Sequence, residues 1–300
     1  MMYLCAHKPA NIRLNEKSLR NMTRTHLTQH IFEKRSYLCV GLDPETGKLP
    51  APFHGTTAEV LPFNKAIIDA TRDLCVSYKI NTAFYEALGV EGWRIFEETV
   101  RYIGAGHFII ADAKRGDIGN TARMYAEAFF RHYGCDAVTV APYMGEDSIR
   151  PFLEYSDKWT ILLAHTSNPG HRDFQQLALS DGGGVVWEQV VRRCAAWGTP
   201  ENTMFVMGAV DAEQIAVARR LVPRHFLLVP GVGAQGGDFQ RVSADGLTDD
   251  GGLLINISRE ILYASRGTDF AEAARAKAAY WQKQMEQCLK TYTKHHLSIT

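Results

Sequence analysis

In the run Ile110-Ala-Asp-Ala-Lys-Arg-Gly-Asp-Ile-Gly-Asn-Thr121, Asp112 and Lys114 stand two residues apart and Asp117 follows just beyond them. Residues two apart on an extended strand share a face, so the spacing predicts a carboxylate and an ammonium pointing the same way. Lys79, at the end of an earlier apolar run, can bring a second ammonium to them. Lysines and aspartates that alternate in space keep one another ionised even where water is scarce. The chemistry open to such a set is stabilisation of developing negative charge by a preplaced cation. A purely structural salt-bridge network uses the same groups, since buried charges are normally paired. The strand-end position favours chemistry.

That position recurs. Asp43, Lys79 with Asn81, Asp112 with Lys114, His165 to Asn168, and Ser258 with Arg259 each interrupt or follow an apolar run at its C-terminal end. The runs are Tyr37–Leu42, Cys75–Ile80, His107–Ala113, Ala137–Pro142, Thr160–His165, Met204–Gly208, Phe226–Pro230 and Leu253–Ile257. Near-continuous apolar character marks strands buried on both faces, as in parallel sheets. Helical periodicity fills the intervals. Phe63, Ile67, Ala70 and Leu74 fall on one face, as do Trp93, Phe96, Val100 and Ile103, and Phe270, Ala274, Ala278 and Trp281 mark a closing helix. Asp211 is placed to cap the helix carrying Ile215, with Gln214 at the capping-box position. Eight strand–helix units in series predict a (β/α)8 TIM barrel, with an open doubly wound sheet as the alternative. Barrel enzymes build their sites from several strand ends on one rim, and the polar residues lie on that rim.

Other signals are weaker. Gly231-Val-Gly-Ala-Gln-Gly236 matches the GxGxxG dinucleotide pattern, but only one strand remains after it to complete a nucleotide domain. It reads better as a loop bringing backbone N–H groups to a phosphate after the seventh strand, with Arg259 adding a bidentate cation. A nicotinamide oxidoreductase would rest on that loop alone. Arg115-Gly-Asp117 spells a cell-adhesion tripeptide of little specificity. His26 and His30 are spaced to share a helix face without an evident third ligand, and no HExxH or Cys–His cluster is present, so no structural zinc is expected. His165 suits a core histidine as well as a ligand contact.

The 300 residues carry 33 Lys plus Arg and 33 Asp plus Glu. That balance argues against a nucleic-acid or anionic-membrane binder, which needs a basic excess. At 46% hydrophobic and 22% charged, the chain is that of a globular protein rather than a disordered one, and its apolar runs fall short of the roughly 20 residues of a membrane helix. Six scattered cysteines with no CxxC pair point to a reducing compartment, and a cytoplasmic location is expected. Residues 1–35, with seven Lys or Arg against two Glu, read as an extension running into a helix near Leu19–Phe32, with a cleaved organelle leader as the alternative. Residues 36–288 are expected to form the catalytic barrel and 289–300 a tail.

Gly41-Leu-Asp-Pro44, the segment from Asp112 to Thr121, Thr166-Ser-Asn-Pro-Gly170, the stretch from Pro230 to Asp238, and Asn256-Ile-Ser-Arg259 together resemble the orotidine 5′-phosphate decarboxylase family, in its order, from about Ser36 to Ser265. Ile80 stands where the resemblance leads one to expect Pro, and His171-Arg172 replace small residues. The resemblance implies a homodimeric barrel that converts orotidine 5′-monophosphate to uridine 5′-monophosphate with neither metal nor organic cofactor. It implies that Lys114 protonates C6, that Asp112 crowds the substrate carboxylate, and that Lys79 holds the network and the ribose. Asp117 and Thr121 would reach the partner subunit's site. Asp43 would bind ribose hydroxyls, Ser167 the pyrimidine edge, and Gln235 with Arg259 the phosphate. Asn81, Pro230 and Ser258 complete the implied substrate-binding set. The lids would be 168–184 and 231–245. The alternatives are a magnesium-dependent sugar-phosphate decarboxylase of the same superfamily, which places a carboxylate where this chain has Lys79, and a non-catalytic nucleotide-binding barrel, which has no need of the Lys–Asp network.

Overall fold

Eight parallel strands close into a barrel in chain order in the computed structural model, which describes residues 22–180, 182–233 and 236–297. The strands are β1 (Leu38–Gly41), β2 (Ser77–Asn81), β3 (Phe108–Arg115), β4 (Ala137–Val140), β5 (Trp159–His165), β6 (Thr203–Met207), β7 (Phe226–Pro230) and β8 (Leu253–Ile257). No end lies more than two residues from where the apolar runs place it. Nearly every strand residue is buried, because one face packs into the barrel and the other lies under the helices. The closed barrel excludes the open sheet.

The helices are α1 (Arg24–Lys34), α2 (Val60–Thr71), α3 (Ala83–Glu86), α4 (Gly89–Ile103), α5 (Gly119–Glu127), α6 (Glu146–Leu153), α7 (Val186–Trp197), α8 (Glu213–Leu221), α9 (Phe239–Gly246), α10 (Arg259–Leu262) and α11 (Phe270–Leu297). Buried residues follow the 3.6-residue period. In α4 they are Ile95, Phe96, Thr99, Val100 and Ile103, and in α11 they include Phe270, Ala274, Ala278, Trp281 and Met285. The face of α2 turns slightly from the expected one: Phe63, Asn64, Ile67, Ile68 and Thr71 are buried, Ala70 is only half-buried, and Leu74 lies past the helix end. Asn64 takes a core position because its amide donates to the hydroxyls of Tyr85 and Thr99 at 2.9 and 3.0 Å. Helix α1 begins at Arg24, and the expected start at Leu19 lies outside the described residues. No helix of the described residues is long and apolar enough to cross a membrane.

The N-terminal end of the barrel is closed by aromatic rings from alternate strands. Phe108 of β3, Trp159 of β5 and Phe226 of β7 meet edge to face, with centroids 5.9 and 6.1 Å apart, the layered filling expected of an eight-stranded parallel barrel. The segment leading into α1 caps this layer. The Trp159 indole donates to the Met22 carbonyl at 2.8 Å, and the Arg24 guanidinium lies 5.0 Å from the Phe226 centroid. Arg24 also donates to Asp250 at 2.6 Å and to the carbonyls of Pro200 (2.7 Å) and Arg224. One side chain thus ties α1 to three loops. Arg24→Ala is expected to lower stability by about 2 kcal/mol, the scale for charge-assisted hydrogen bonds, seen as a lower urea midpoint at unchanged slope. An unchanged midpoint would show that α1 is not anchored by this contact.

Candidate active site

At the opposite end of the barrel, a chain of alternating charges spans β2 and β3. Lys79 Nζ lies 2.8 Å from one oxygen of Asp112, and Lys114 Nζ lies 2.7 Å from the other. Asp43, beyond β1, stands 3.7 Å from Lys79 and accepts the Asn81 amide N–H at 3.2 Å. Parallel register sets Asn81 opposite Asp112 and Gly41 opposite Lys79, which aligns the three strand ends. Burial acts against the Asp112 charge, but the two flanking ammoniums outweigh it and hold the carboxyl well below the usual range. For Lys79, burial opposes protonation, and Asp112 and Asp43 more than offset it, so its pKa is raised. The sign of each shift gives the working window. The depressed Asp112 contributes stability above the ordinary carboxylate pKa of about 4, lost as pH falls through its folded value. The raised Lys79 contributes below about 10.4, lost as pH rises through its folded value.

Simple strand alternation does not explain how Lys114 joins Asp112. The register of β3 against β4 shifts between Ala111 and Arg115, and Lys114 adopts φ 48°, a left-handed conformation that costs a non-glycine residue about 1–3 kcal/mol. Thr139 of β4 holds the irregularity. Its hydroxyl accepts the Lys114 backbone N–H at 2.9 Å and donates to Asp112 at 2.9 Å. Lys79 is buried, whereas the side chain of Lys114 is 48% exposed, so one ammonium is locked and the other faces the cavity.

The cavity encloses about 590 Å³ and is lined by Asp43, Lys79, Asn81, Asp112, Lys114, Ser167, Pro230, Ser258 and Arg259, nine of the twelve site residues expected from sequence. Leu163, Val206 and Leu228 supply an apolar wall from β5, β6 and β7. Gly231, at φ 98°, and Gly233 line the mouth beside Arg259, whose guanidinium has no ion-pair partner among the described residues. Gly41 permits the closure of this end, because a Cβ there would lie 1.8 Å from the Ser258 hydroxyl.

Residues 36–276 match the family model described as orotidine 5′-phosphate decarboxylase / HUMPS. The chain belongs to that family. It is 52% identical to the orotidine 5′-phosphate decarboxylase of Christiangramia forsetii, over 88% of this chain and 97% of that one. It is 49% identical to that of Bacteroides fragilis, over 90% and 99%. Among solved structures it resembles Leishmania donovani OMP decarboxylase, with a TM-score of 0.75 and 36% identity over 88% and 99% of the two chains. These decarboxylase relatives are carboxy-lyases by name, and they do not favour the sugar-phosphate or non-catalytic alternatives.

Two of the twelve expected residues stand apart from the cavity. Asp117 and Thr121 do not line it: Asp117 accepts the Ile118 N–H at 2.8 Å, and Thr121 is exposed on α5. Gln235 lies outside the described residues. The cap assigned to Asp211 is not formed: α8 starts at Glu213 with no side-chain cap, and the Asp211 carboxylate instead faces His165 and His171. The second expected lid is shorter than 231–245, because α9 begins at Phe239 with Asp238 as its N-cap. Two residues beside the charge array escaped assignment from sequence. Thr139, which holds Asp112 and the Lys114 backbone, was visible only as a polar residue inside an apolar strand, and Asn256, which lines the cavity, donates to the Ser258 hydroxyl at 3.3 Å.

Burial and exposure separate the array into a structural half and an accessible half. Asp112→Ala is expected to destabilise the protein by about 3–5 kcal/mol, since it leaves the buried Lys79 without its near partner. Lys114→Ala, at a half-exposed site, should change stability by less than about 1 kcal/mol. Urea unfolding of both variants at pH 7 tests this, and equal losses would contradict the division.

Proposed function

We propose that this chain is a cofactor-free orotidine 5′-monophosphate decarboxylase producing uridine 5′-monophosphate and carbon dioxide, the last step of pyrimidine synthesis. The observation that carries the proposal is the Lys79–Asp112–Lys114 array at the base of a cavity whose far side bears Arg259 and the Gly231–Gly233 backbone. Its 590 Å³ falls in the range of small-molecule sites. With the nucleotide phosphate at Arg259 and the ribose at Asp43, the substrate carboxylate comes to lie against Asp112. That fixed anion disfavours the bound carboxylate and is relieved as carbon dioxide leaves.

The bond from C6 to the carboxylate carbon breaks and its electron pair stays on C6, where the pyrimidine offers no resonance sink. The Lys114 ammonium, already in place, stabilises that charge and transfers its proton to C6. The half-exposed Lys114 amine then regains a proton from solvent. Barriers of this kind need the upper part of the roughly 8–23 kcal/mol that enzymes supply, and binding of the remote phosphate contributes by organising the site. A magnesium-dependent reaction is disfavoured by the charges present, because Lys79 sets an ammonium where a divalent ion would need an anion.

Ser167 would meet the pyrimidine edge, and Asn81, Pro230, Ser258 and Gln235 would complete the contacts. We further propose a homodimer in which Asp117 and Thr121 enter the partner's cavity. Support comes from their position outside their own cavity, beside the exposed apolar side chains of Ile118, Met124, Tyr143 and Met144. The loop bearing Met144 packs close to Gly116, so these groups lie on neighbouring loops.

Lys114→Ala is expected to retain under about 1% of turnover while still binding uridine 5′-monophosphate, because its charge matters most when the carbanion forms. Absorbance decay of orotidine 5′-monophosphate and calorimetric binding of the product check this, and turnover above a few per cent of wild type would refute the assigned role. Mixing Asp117→Ala chains with Lys114→Ala chains should restore activity, since in a mixed dimer one site collects both lesions and the other neither. With subunit exchange demonstrated, no recovery would place Asp117 in its own chain's site.

A further inference from the structure

Behind the cavity wall formed by Thr166, Ser167 and Asn168, three potential metal ligands converge. His165 ends β5, His171 lies in the short helical turn Pro169–Asp173, and Asp211 lies in the turn Ala209–Asp211 after β6. One donor atom from each falls within 4.8 Å of the others. Asp211 Oδ2 is 3.3 Å from His171 Nε2 and 3.7 Å from His165 Nε2. Both imidazoles are buried, with side chains 1% and 5% exposed.

The hydrogen bonds orient the rings. His171 Nδ1 lies 2.8 Å from the Asn168 carbonyl oxygen, which can only accept, so Nδ1 bears a hydrogen and Nε2 is the ring atom available to a ligand. His171 Nε2 is buried without a hydrogen-bond partner, although the Asp211 oxygen is 3.3 Å away. His165 Nε2 faces the Gln176 amide nitrogen at 3.0 Å, so its lone pair is engaged by that amide, which a metal ion would have to displace. Two buried imidazole nitrogens and a partly exposed carboxylate converging on one point offer a cation a set of three donors. A single proton satisfies one pair, whereas a metal ion satisfies all three. Donors bound at about 2.0–2.1 Å with tetrahedral angles lie roughly 3.3 Å apart, and the two shorter edges of the triangle are already near that value. A carbonyl oxygen holding the remote ring nitrogen is the usual support of a metal-bound histidine.

We propose that His165, His171 and Asp211 form a three-ligand site for a zinc-like transition-metal dication, with water in the fourth position and the Gln176 amide displaced from His165. The site lies outside the Lys–Asp array and takes no part in its chemistry. Its effect is positional: it joins the loop after β5, which carries Ser167, to the loop after β6. The two loops already touch. Gly208 N donates to the His165 carbonyl at 2.7 Å, and a Cβ on Gly208 would lie 2.8 Å from Ser167 N. His171 is also a position at which the sequence departs from the small residue expected after Asn-Pro-Gly. The three ligands are 6 and 40 residues apart in the chain, a spacing that matches no zinc motif.

The test titrates Zn²⁺ into the full-length, EDTA-treated protein by calorimetry, for wild type, His171→Ala and Asp211→Asn, with circular dichroism to check folding. Wild type should bind with at least a roughly tenfold higher affinity than either variant, and Zn²⁺ should raise the Tm of wild type alone. Co²⁺ should give the visible absorption of a tetrahedral ion in wild type and not in the variants. Superimposable titrations of all three chains would overturn the proposal and leave His171 and Asp211 as a plain ion pair. Should one variant fail to fold, the other and the wild-type Co²⁺ spectrum decide. Absence of that spectrum equally overturns the site.

Discussion

The carboxylate of Asp112 is the point on which this site depends. It is buried, and alone it would be neutral or would disrupt the barrel. Ammoniums at 2.8 and 2.7 Å, one on each oxygen, let it stay charged. The two cations differ in kind. Lys79 is enclosed and shared with Asp43, while Lys114 stands half in the cavity. A charge held so firmly on one side can repel an incoming carboxylate, and a cation held by that same charge on the other can meet the electrons left behind. Removing either lysine would alter the electrostatics of all the others, so the array works as one unit.

Holding it requires departures from regular structure. An unbroken β3 would continue past Asp112 in register with β4. Instead the register slips and Lys114 takes a left-handed conformation. Thr139 fixes both irregularities with one hydroxyl, accepting from the strained residue's backbone and donating to Asp112. Backbone strain is thereby placed beside the Lys–Asp array, where the surrounding sheet can hold it.

The barrel divides its tasks by end. Phe108, Trp159, Phe226 and the Arg24 contacts fill and cap the N-terminal end, leaving the C-terminal end free to carry charge and glycine. Below the Lys–Asp array lies a core of buried apolar side chains. The loops above β5 and β6 approach so closely that Gly208 admits no side chain, and the His165–His171–Asp211 cluster sits where they meet.

Much of this was legible in the sequence because the signals were local. Eight apolar runs of strand length placed every strand within two residues, since burial on both faces leaves no other composition. Polar residues at their C-terminal ends marked the rim, and nine of twelve expected site residues do line the cavity. The misreadings came where partners are distant in the chain. Asp211 looked like a helix cap from its neighbours, yet its carboxylate faces His165, 46 residues earlier. Thr139 gave little sign of its role, because that role depends on the register of β4 against a slipped β3. The strand runs and the helix faces are set by neighbouring residues, whose geometry the backbone fixes within a few ångströms. Which strand end faces which, whether Lys114 or Lys79 is the exposed ammonium, and which histidines meet the Asp211 carboxylate are set by closure of the barrel, and only the tertiary structure decides them.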